Sequence, residues 1–212
     1  MERGKFIVFE GLDGSGKSTQ VNKLKLRLDS LNIKCHFTRE PSDSIPGGII
    51  RSAITKKAVL EEETVALLFI ADRIEHITND ILPFLNKGIH VISDRYYLSN
   101  IAYQGVSMKL ETLINLNNMM IMNKLRPDVT FYLDTPPEEC IKRLENERLH
   151  KELYEELEKL NKTQQNFYEA IDYFKDSEKI IKIATDKSVE STFERIWLKI
   201  SDMFINEIGE SI

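Results

Sequence analysis

Residues 6–18 read Phe-Ile-Val-Phe-Glu-Gly-Leu-Asp-Gly-Ser-Gly-Lys-Ser, and this stretch decides the fold. The apolar run at its start, residues 6–9, is typical of a strand buried on both faces of a parallel sheet. Residues 11–18 then match the pattern G-x-x-x-x-G-K-S of a phosphate-binding loop. Apolar residues recur at helical spacing beyond the loop, at Val21, Leu24, Leu28 and Leu31. This order of strand, glycine-rich turn and helix is the context that a phosphate-binding loop requires.

The residue types in the loop fit phosphate chemistry. Glycine permits backbone turns that are closed to residues with a Cβ atom, so the loop N–H groups can point at phosphate oxygens. Lys17 offers a compact ammonium to the β- and γ-phosphates, and the Ser18 hydroxyl is a ligand for Mg²⁺. The loop leaves ATPases, GTPases and kinases open, although the guanine-reading pattern N-K-x-D is absent from the sequence. The predicted ATP-binding residues here are Gly11, Leu12, Asp13, Gly14, Ser15, Gly16, Lys17, Ser18 and Thr19.

Strand-like and helix-like segments alternate along the rest of the chain. This alternation predicts an α/β fold of the P-loop NTPase type, with a doubly wound, mostly parallel five-stranded sheet flanked by helices. We expect a single domain over residues 1–212, with ligands at the carboxyl ends of the strands. After the first strand and helix, we predict strands at 33–38, 89–94, 129–133 and 179–184, and helices at 61–86, 108–124, 137–149, 152–175 and 188–206.

The composition excludes several classes of protein. The chain has 212 residues, of which 42% are apolar and 30% charged, as in globular proteins and unlike disordered chains. Its formal charge of −5 argues against binding a nucleic acid polymer, which requires a basic face. Residues 1–100 carry a net charge of +1 and residues 101–212 a net charge of −6. A phosphate site is therefore expected in the first half.

The cysteines and apolar segments bear on cellular location. Cys35 and Cys140 have no CxxC neighbour, and the four histidines are scattered, so no metal-ligand cluster is expected. We interpret both cysteines as reduced rather than paired. No apolar run has the length of a signal sequence or a membrane span. The sequence thus predicts a cytoplasmic protein without a membrane partner.

Residues 138–162 are unusually charged, with eight acidic and six basic residues. One interpretation is a solvated pair of helices with ion pairs between successive turns. The other is a lid, at about 142–156, that brings cations over a phosphate site. Charge alone favours the solvated pair of helices.

Further motifs lie where the predicted strands end and on the helices that follow them. In order along the chain they are Phe9-Glu10-Gly11-Leu12-Asp13, Thr38-Arg39-Glu40-Pro41, the segment 67–73, Asp94-Arg95-Tyr96, the segment 99–105, Arg126-Pro127-Asp128 and Tyr132-Leu133-Asp134. Together, and in this order, they resemble the thymidylate kinase family over about the whole chain. The resemblance implies a kinase that phosphorylates dTMP to dTDP with ATP and Mg²⁺, in dTTP biosynthesis.

The resemblance also implies catalytic roles. Arg39 would hold the acceptor phosphate and Arg95 would approach the phosphates from the third strand. Asp94, together with Ser18, would place the magnesium ion, and Asp13 would contact the acceptor sugar near its 3′-hydroxyl. These cations suit phosphoryl transfer, in which the protein mainly positions reactants and neutralises charge. The implied catalytic residues are Asp13, Lys17, Arg39, Asp94, Arg95 and the lid residue Arg148.

The base and sugar site of the resemblance lies on the helices. Phe69 would stack on thymine and Arg73, one helical turn later, would donate to a thymine carbonyl. Without the resemblance, Phe69 would be interpreted as a core residue. Ser99 and Gln104 would lie near the base and Tyr103 near the 2′ position, with direct contact and supporting packing both open for Tyr103 and Gln104. The implied acceptor-site residues are Asp13, Arg39, Arg51, Phe69, Arg73, Arg95, Ser99, Tyr103 and Gln104.

The sequence departs from the family pattern around the donor site. Some members carry a catalytic arginine inside the P-loop, whereas here the four variable positions are Leu12, Asp13, Gly14 and Ser15. Other members place arginines in the lid, but Leu153 stands where one is usual. Arg143, assigned to ATP, and Arg148 remain as lid cations.

Two other functions and the assembly state complete the expectations. A nucleoside monophosphate kinase with another pyrimidine acceptor, such as dUMP, is one alternative. A P-loop protein that binds nucleotide without transferring phosphate is the other. The family commonly forms homodimers through helix faces, and residues 61–72 and 108–122 have apolar positions that suit such a contact.

Overall fold

The structure is a computed structural model that describes residues 3–119, 124–144, 150–185 and 188–204. Residues 150–155 are described by their backbone alone. Within these ranges, no helix combines the length and the apolar character that crossing a bilayer requires.

Five parallel strands form one sheet in the order β2-β3-β1-β4-β5. Each crossover between neighbouring strands passes through helices, as parallel pairing requires. The strands are β1 (Phe6–Gly11), β2 (Cys35–Arg39), β3 (His90–Asp94), β4 (Val129–Asp134) and β5 (Ile180–Ala184). The helices are α1 (Lys17–Ser30), α2 (Ile45–Ile54), α3 (Glu62–His76), α4 (Leu82–Leu85), α5 (Tyr97–Gln104), α6 (Leu110–Asn117), α7 (Pro137–Leu144), α8 (His150–Phe174) and α9 (Val189–Ile200).

The sheet separates two apolar layers. Side chains alternate along β1, so Ile7 and Phe9 face a core built with α1 and α9. Phe6 and Val8 face the opposite core, built with α3, α5 and α8. Every residue of β1 is buried, which explains its apolar run. The predicted doubly wound fold is confirmed, and all strand pairs are parallel.

Most element bounds differ from the predictions by a few residues, and two predicted helices differ in kind. The predicted helix 61–86 is α3, a π-helical turn over Ile77–Ile81 and the short α4. The predicted helix 188–206 is α9 followed by a 3₁₀ turn over Ser201–Phe204.

The helices α2 and α5 were missed in the sequence. Helix α2 contains two glycines, and its start is set locally: the Ser44 side chain accepts from the Gly47 N–H and a proline stands in the first turn. Seven of the eight residues of α5 are buried, so it lacks the polar face that makes a helix recognisable.

Candidate active site

The P-loop joins the end of β1 to the start of α1. Gly11, Gly14 and Gly16 have φ angles of 145°, 80° and 95°, in the left-handed region that glycine adopts readily. Space is also tight, since a Cβ atom at Gly14 would lie 2.5 Å from the carbonyl oxygen of Cys140 in α7. The glycines therefore stand where the backbone requires them, and α1 begins immediately at Lys17.

Lys17 is buried beneath the loop. Its Nζ donates to the carbonyl oxygens of Gly11, at 3.0 Å, and Leu12, at 2.8 Å. Burial lowers the pKa of Lys17 to about 8, and the positive charge of Arg95 acts in the same direction. The carboxylates of Asp94, Asp13 and Glu10 act in the opposite direction but do not outweigh burial. The ammonium is thus held in place in an environment that favours an additional anionic partner such as phosphate.

Ser18 and Asp94 meet at the junction of α1 and β3. The Ser18 Oγ donates to Asp94 Oδ2 at 2.7 Å. The other carboxylate oxygen, Oδ1, is buried and has no hydrogen-bond partner among the described residues. A hydroxyl and a carboxylate with an unused oxygen are hard oxygen donors of the kind that Mg²⁺ prefers, usually with water and phosphate completing the coordination. This pair fits a magnesium site.

Arg95 connects the end of β3 to the P-loop. Its backbone has a φ of 79°, uncommon for a residue with a side chain. Its Nη2 forms an ion pair with Asp13, and its Nη1 donates to the Ser99 Oγ at 2.7 Å. Burial alone would raise the pKa of Asp13, but the charges of Arg95 and Lys17 lower it below its usual value.

Tyr103 closes this group from α5. The Arg95 guanidinium carbon lies over the Tyr103 ring, 5.1 Å from the ring centroid. The Tyr103 hydroxyl accepts the Asp13 N–H at 2.8 Å. Four residues that the sequence assigned to the acceptor site, Asp13, Arg95, Ser99 and Tyr103, are therefore in mutual contact.

A pocket of about 460 Å³ opens above the P-loop. Arg39, exposed at the end of β2, faces Lys17 and Arg95 across it. Arg143 of α7 lies on the donor side, where its Nη1 donates to the carbonyl oxygens of Gly14 and Ser15 at 3.3 and 3.4 Å. The lining residues are Asp13, Gly14, Gly16, Lys17, Ser18, Thr19, Arg39, Glu40, Asp94, Arg95 and Arg143. The predicted lid residue Arg148 lies outside the described residues.

A larger cleft, of about 910 Å³, runs along the open edge of β2. It shares Ser18, Arg39 and Asp94 with the smaller pocket and continues past the loop 42–46 to the end of α3. Arg51 of α2 fixes that loop by donating to the Pro41 carbonyl at 3.3 Å and to the Ser42 carbonyl. Arg51 thus lies behind the rim of the acceptor site.

Arg73 lies on α3 away from the phosphate pocket. It is fully buried, and its guanidinium donates to Glu40 Oε2 at 2.6 and 2.8 Å and to Asn117 Oδ1 at 2.9 Å. These bonds leave two of its five N–H groups for other acceptors. Phe69, one turn earlier on α3, is half-buried. Arg73 and Phe69 therefore lie outside the lining of the phosphate pocket, whereas Glu40, the partner of Arg73, is part of that lining, and Ser99 contacts Arg95.

A buried amide network continues from Arg73 to Gln104. Asn117 of α6 donates to Asn100 Oδ1 at 3.0 Å, and Asn100 donates to Gln104 Oε1 at 3.1 Å. Asn100 and Asn117 were missed in the sequence, as was the Glu40 partner of Arg73. The available signals were an amide one helical turn before Gln104 and an acidic residue directly after Arg39.

Several known proteins are similar to this chain. A sequence model of the family described as thymidylate kinase matches residues 9–196. A thymidylate kinase of Caldicellulosiruptor saccharolyticus is 38% identical over 208 residues, 95% of this chain and 98% of the relative. One of Prochlorococcus marinus is 43% identical over 162 residues, covering 71% and 77% of the two chains. One of Francisella tularensis is 34% identical over 210 residues, covering 95% and 98%.

Proposed function

The chain belongs to the thymidylate kinase family, and on this premise we propose how its residues phosphorylate dTMP to dTDP with ATP. The observation that carries the mechanism is the single 460 Å³ pocket shared by the P-loop, Lys17, Arg39, Arg95 and Arg143. Two anionic phosphates must approach each other for transfer, and only a concentration of fixed positive charge makes that approach favourable.

On the donor side, the P-loop N–H groups and Lys17 hold the β- and γ-phosphates of ATP. The buried Lys17 ammonium is fixed by two carbonyl oxygens, so little reorganisation is needed when phosphate arrives. Arg143 extends this positive charge from α7. The aligned N–H groups at the start of α1 add to it.

On the acceptor side, Arg39 and Arg95 hold the phosphate of dTMP in line with the γ-phosphate. Arg39 is exposed at the end of β2 and offers a bidentate fork. The acceptor oxygen is already ionised at neutral pH, so the transfer proceeds without a strong general base. Asp13 orients Arg95 and contacts the acceptor sugar near its 3′-hydroxyl.

We propose that Ser18 and Asp94 hold a magnesium ion, directly or through water. When bound, Mg²⁺ would neutralise charge on the transferred group and hold the ATP phosphates in a reactive arrangement. The buried, unpartnered Oδ1 of Asp94 supports this assignment.

We place thymine between Phe69 and the amide network. Arg73 and Gln104 would contact its polar edge, and Tyr103 would lie against the 2′ position of the sugar. The Ser99 hydroxyl is engaged by Arg95 and Glu10, which favours a supporting role over a base contact. Nothing in the comparisons supports a different acceptor or a loss of transfer activity.

A parallel assay of acceptors tests this function. Purified protein with ATP and Mg²⁺ is given dTMP, dUMP, ribothymidine monophosphate, dCMP or dGMP, and nucleoside diphosphate formation is measured. We expect preferred turnover of dTMP, and a Lys17→Ala preparation identifies any contaminating kinase. ATP hydrolysis that is indifferent to every acceptor would refute the proposal.

We further propose one catalytic domain over residues 1–212, with a lid at about 142–156, in a cytoplasmic homodimer. The single sheet supports one domain. Exposed apolar side chains on and near α2 and α3 support a dimer contact; they are Ile45, Ile49, Ile54, Val59 and Leu67.

Light scattering at micromolar concentration tests the dimer. We expect the mass of two chains, and a Leu67→Glu variant should shift the protein to monomers. Leu198→Glu, at an even more exposed position on α9, is the control. A wild-type monomer would contradict the proposal.

A further inference from the structure

Glu10 is a carboxylate in the middle of the buried sheet. It lies on β1, next to Tyr132 of β4, and has no exposed surface. Burial raises its pKa to about 7 even though hydrogen bonds and Arg95 favour the ionised form. A buried charge at this position is unfavourable for folding unless its contacts compensate for it. The hydrogen bonds of Glu10 therefore indicate its role.

Glu10 accepts hydrogen bonds from the start of α5. Its Oε1 accepts the N–H groups of Tyr96, at 2.9 Å, and Ser99, at 3.2 Å, and its Oε2 accepts the Ser99 hydroxyl. The residue that precedes α5, Tyr96, makes no side-chain cap of its own. Glu10 therefore caps α5 from a neighbouring strand, where a negative charge also interacts favourably with the helix dipole.

The same hydroxyl connects Glu10 to the phosphate pocket. Because Ser99 donates to Glu10, its oxygen lone pairs face Arg95, whose Nη1 donates to them at 2.7 Å. The Arg95 backbone is held in its left-handed conformation by an N–H bond to the Phe9 carbonyl at 2.8 Å. The carboxylate, the hydroxyl and the guanidinium form one continuous chain.

We propose that Glu10 is a positioning residue for phosphoryl transfer, which sets the Arg95 guanidinium by fixing Ser99 and the first turn of α5. The inference rests on the proposed function, in which Arg95 holds the phosphates. Glu10 acts in its ionised form, since only the carboxylate accepts all three hydrogen bonds and faces Arg95 with a negative charge.

The groups that face Glu10 come from every element packed against it. Arg95 precedes α5, Lys17 begins α1, Tyr96 and Tyr97 lie at the start of α5, and Tyr132 lies on β4. Burial raises the pKa of all three tyrosines far above neutrality, so they do not titrate near pH 7. The pKa of Lys17, lowered to about 8, also lies near this range, but Lys17 is present in both the wild type and Glu10→Gln. A transition near pH 7 that is present in the wild type and absent from Glu10→Gln is therefore assigned to Glu10.

The test compares the wild type with Glu10→Gln, which keeps the shape and removes the charge. At pH 8 we expect kcat to fall about 10- to 100-fold, the effect of losing charged hydrogen bonds, with each KM changed less than about threefold. As pH falls through about 7, wild-type kcat should approach that of the variant. The second ionisation of the substrate phosphate, at about pH 6, affects both proteins alike and cancels in the ratio of wild-type kcat to Glu10→Gln kcat.

Glu178→Gln is the matched control. Glu178 is also a partly buried carboxylate that contacts α5, through the Tyr97 hydroxyl, but it precedes β5 and so lies at the opposite edge of the sheet from the pocket. We expect its kcat to match the wild type. Ser99→Ala removes the link to Arg95 and should reproduce the loss of kcat if Glu10→Gln fails to fold.

A folded Glu10→Gln or Ser99→Ala variant with wild-type kcat at pH 8 would overturn the inference. So would a kcat ratio between wild type and Glu10→Gln that stays constant from pH 5.5 to pH 8. A wild type that transfers nothing to dTMP would instead overturn the proposed function. In that case, an unchanged Arg95 side-chain conformation in a crystal structure of Glu10→Gln would separately contradict the positioning of Arg95.

Discussion

The two ends of the acceptor site differ in how their arginines are neutralised. At the phosphate end, Arg39 is exposed at the end of β2 and opens onto the pocket. At the base end, Arg73 is fully buried and is paired with Glu40. The positive charge of Arg39 is thus left for the substrate to neutralise, whereas the positive charge of Arg73 is already neutralised within the protein. Arg73 therefore contributes to binding through the orientation of its two remaining N–H groups more than through net charge.

The same contrast holds for the buried carboxylates. Glu40 bonds directly to its arginine. Glu10 reaches Arg95 only through Ser99, and its pKa rises to about 7 because burial is incompletely compensated. The buried carboxylate at the phosphate end is thus less completely compensated by nearby positive charge than the one at the base end.

The largest effect is expected at Lys17. Replacing it with alanine removes the buried ammonium that faces the transferred phosphate, so kcat should fall by about 10³-fold or more. Steady-state kinetics with ATP and dTMP measure the loss. Lys175→Ala, on an exposed ion pair, serves as the control and should behave as the wild type. Retention of more than a tenth of the activity in Lys17→Ala would contradict its catalytic role.

Arg73→Ala should separate the two ends most clearly. It leaves the buried Glu40 without its arginine and with His76 as the remaining ionisable partner, at 3.2 Å between Nδ1 and Oε1, so the free energy of unfolding should fall by about 3–5 kcal/mol. The KM for dTMP should rise, while the affinity for ATP stays close to that of the wild type. Urea denaturation and calorimetry provide both measurements. Adding Glu40→Gln should restore part of the stability, and loss of ATP binding would show that the two ends are not independent.

The strain at Glu10 predicts a pH-dependent stability. Its pKa is raised from 4.5 to about 7 on folding, so the folded state binds the proton more tightly and loses stability as pH rises across this range. This loss amounts to about 3 kcal/mol for the ionised form. Urea denaturation should show that the free energy of unfolding of Glu10→Gln, taken relative to the wild type, increases by this amount between pH 4.5 and pH 8. An equal difference at both pH values would contradict the buried charge.

The smallest effect is expected at Arg39. Since it is exposed, Arg39→Ala should raise the KM for dTMP about 10- to 100-fold, the effect of losing a charged hydrogen bond, and change the free energy of unfolding by less than about 0.5 kcal/mol. Arg39→Lys keeps the charge but loses the bidentate geometry of the guanidinium, so its KM for dTMP should lie between those of the wild type and Arg39→Ala. Strong destabilisation of Arg39→Ala would show that the phosphate end is compensated within the protein after all.

The sequence predicted the phosphate end far better than the base end. The spacing of Gly11, Gly14, Gly16, Lys17 and Ser18 encodes a local backbone shape, which needs no distant partner to form. Strand ends were equally accessible, because parallel strands bring their carboxyl ends to one edge. Arg39, Asp94 and Arg95 could therefore be placed together before the structure was known.

The base end depends on contacts between distant segments. Arg73 meets Glu40 and Asn117, which are 33 and 44 residues away. Nothing in the local sequence indicates which buried partner a helix arginine will find. Helix α5 was missed because it is buried on nearly all sides, and with it the contacts of Ser99, Asn100 and Gln104. The lid residue Arg148 stays a prediction.

The close approach of α7 to the P-loop limits how this enzyme can evolve. At the four variable positions of the loop, Leu12 and Ser15 are buried, and a Cβ atom at Gly14 would strike the Cys140 carbonyl oxygen at 2.5 Å. A side chain at Gly14 therefore requires the backbone of α7 to move, while Asp13 is engaged with Arg95. A lineage that moves its catalytic cation to this position of the loop must therefore also shift α7 relative to the P-loop.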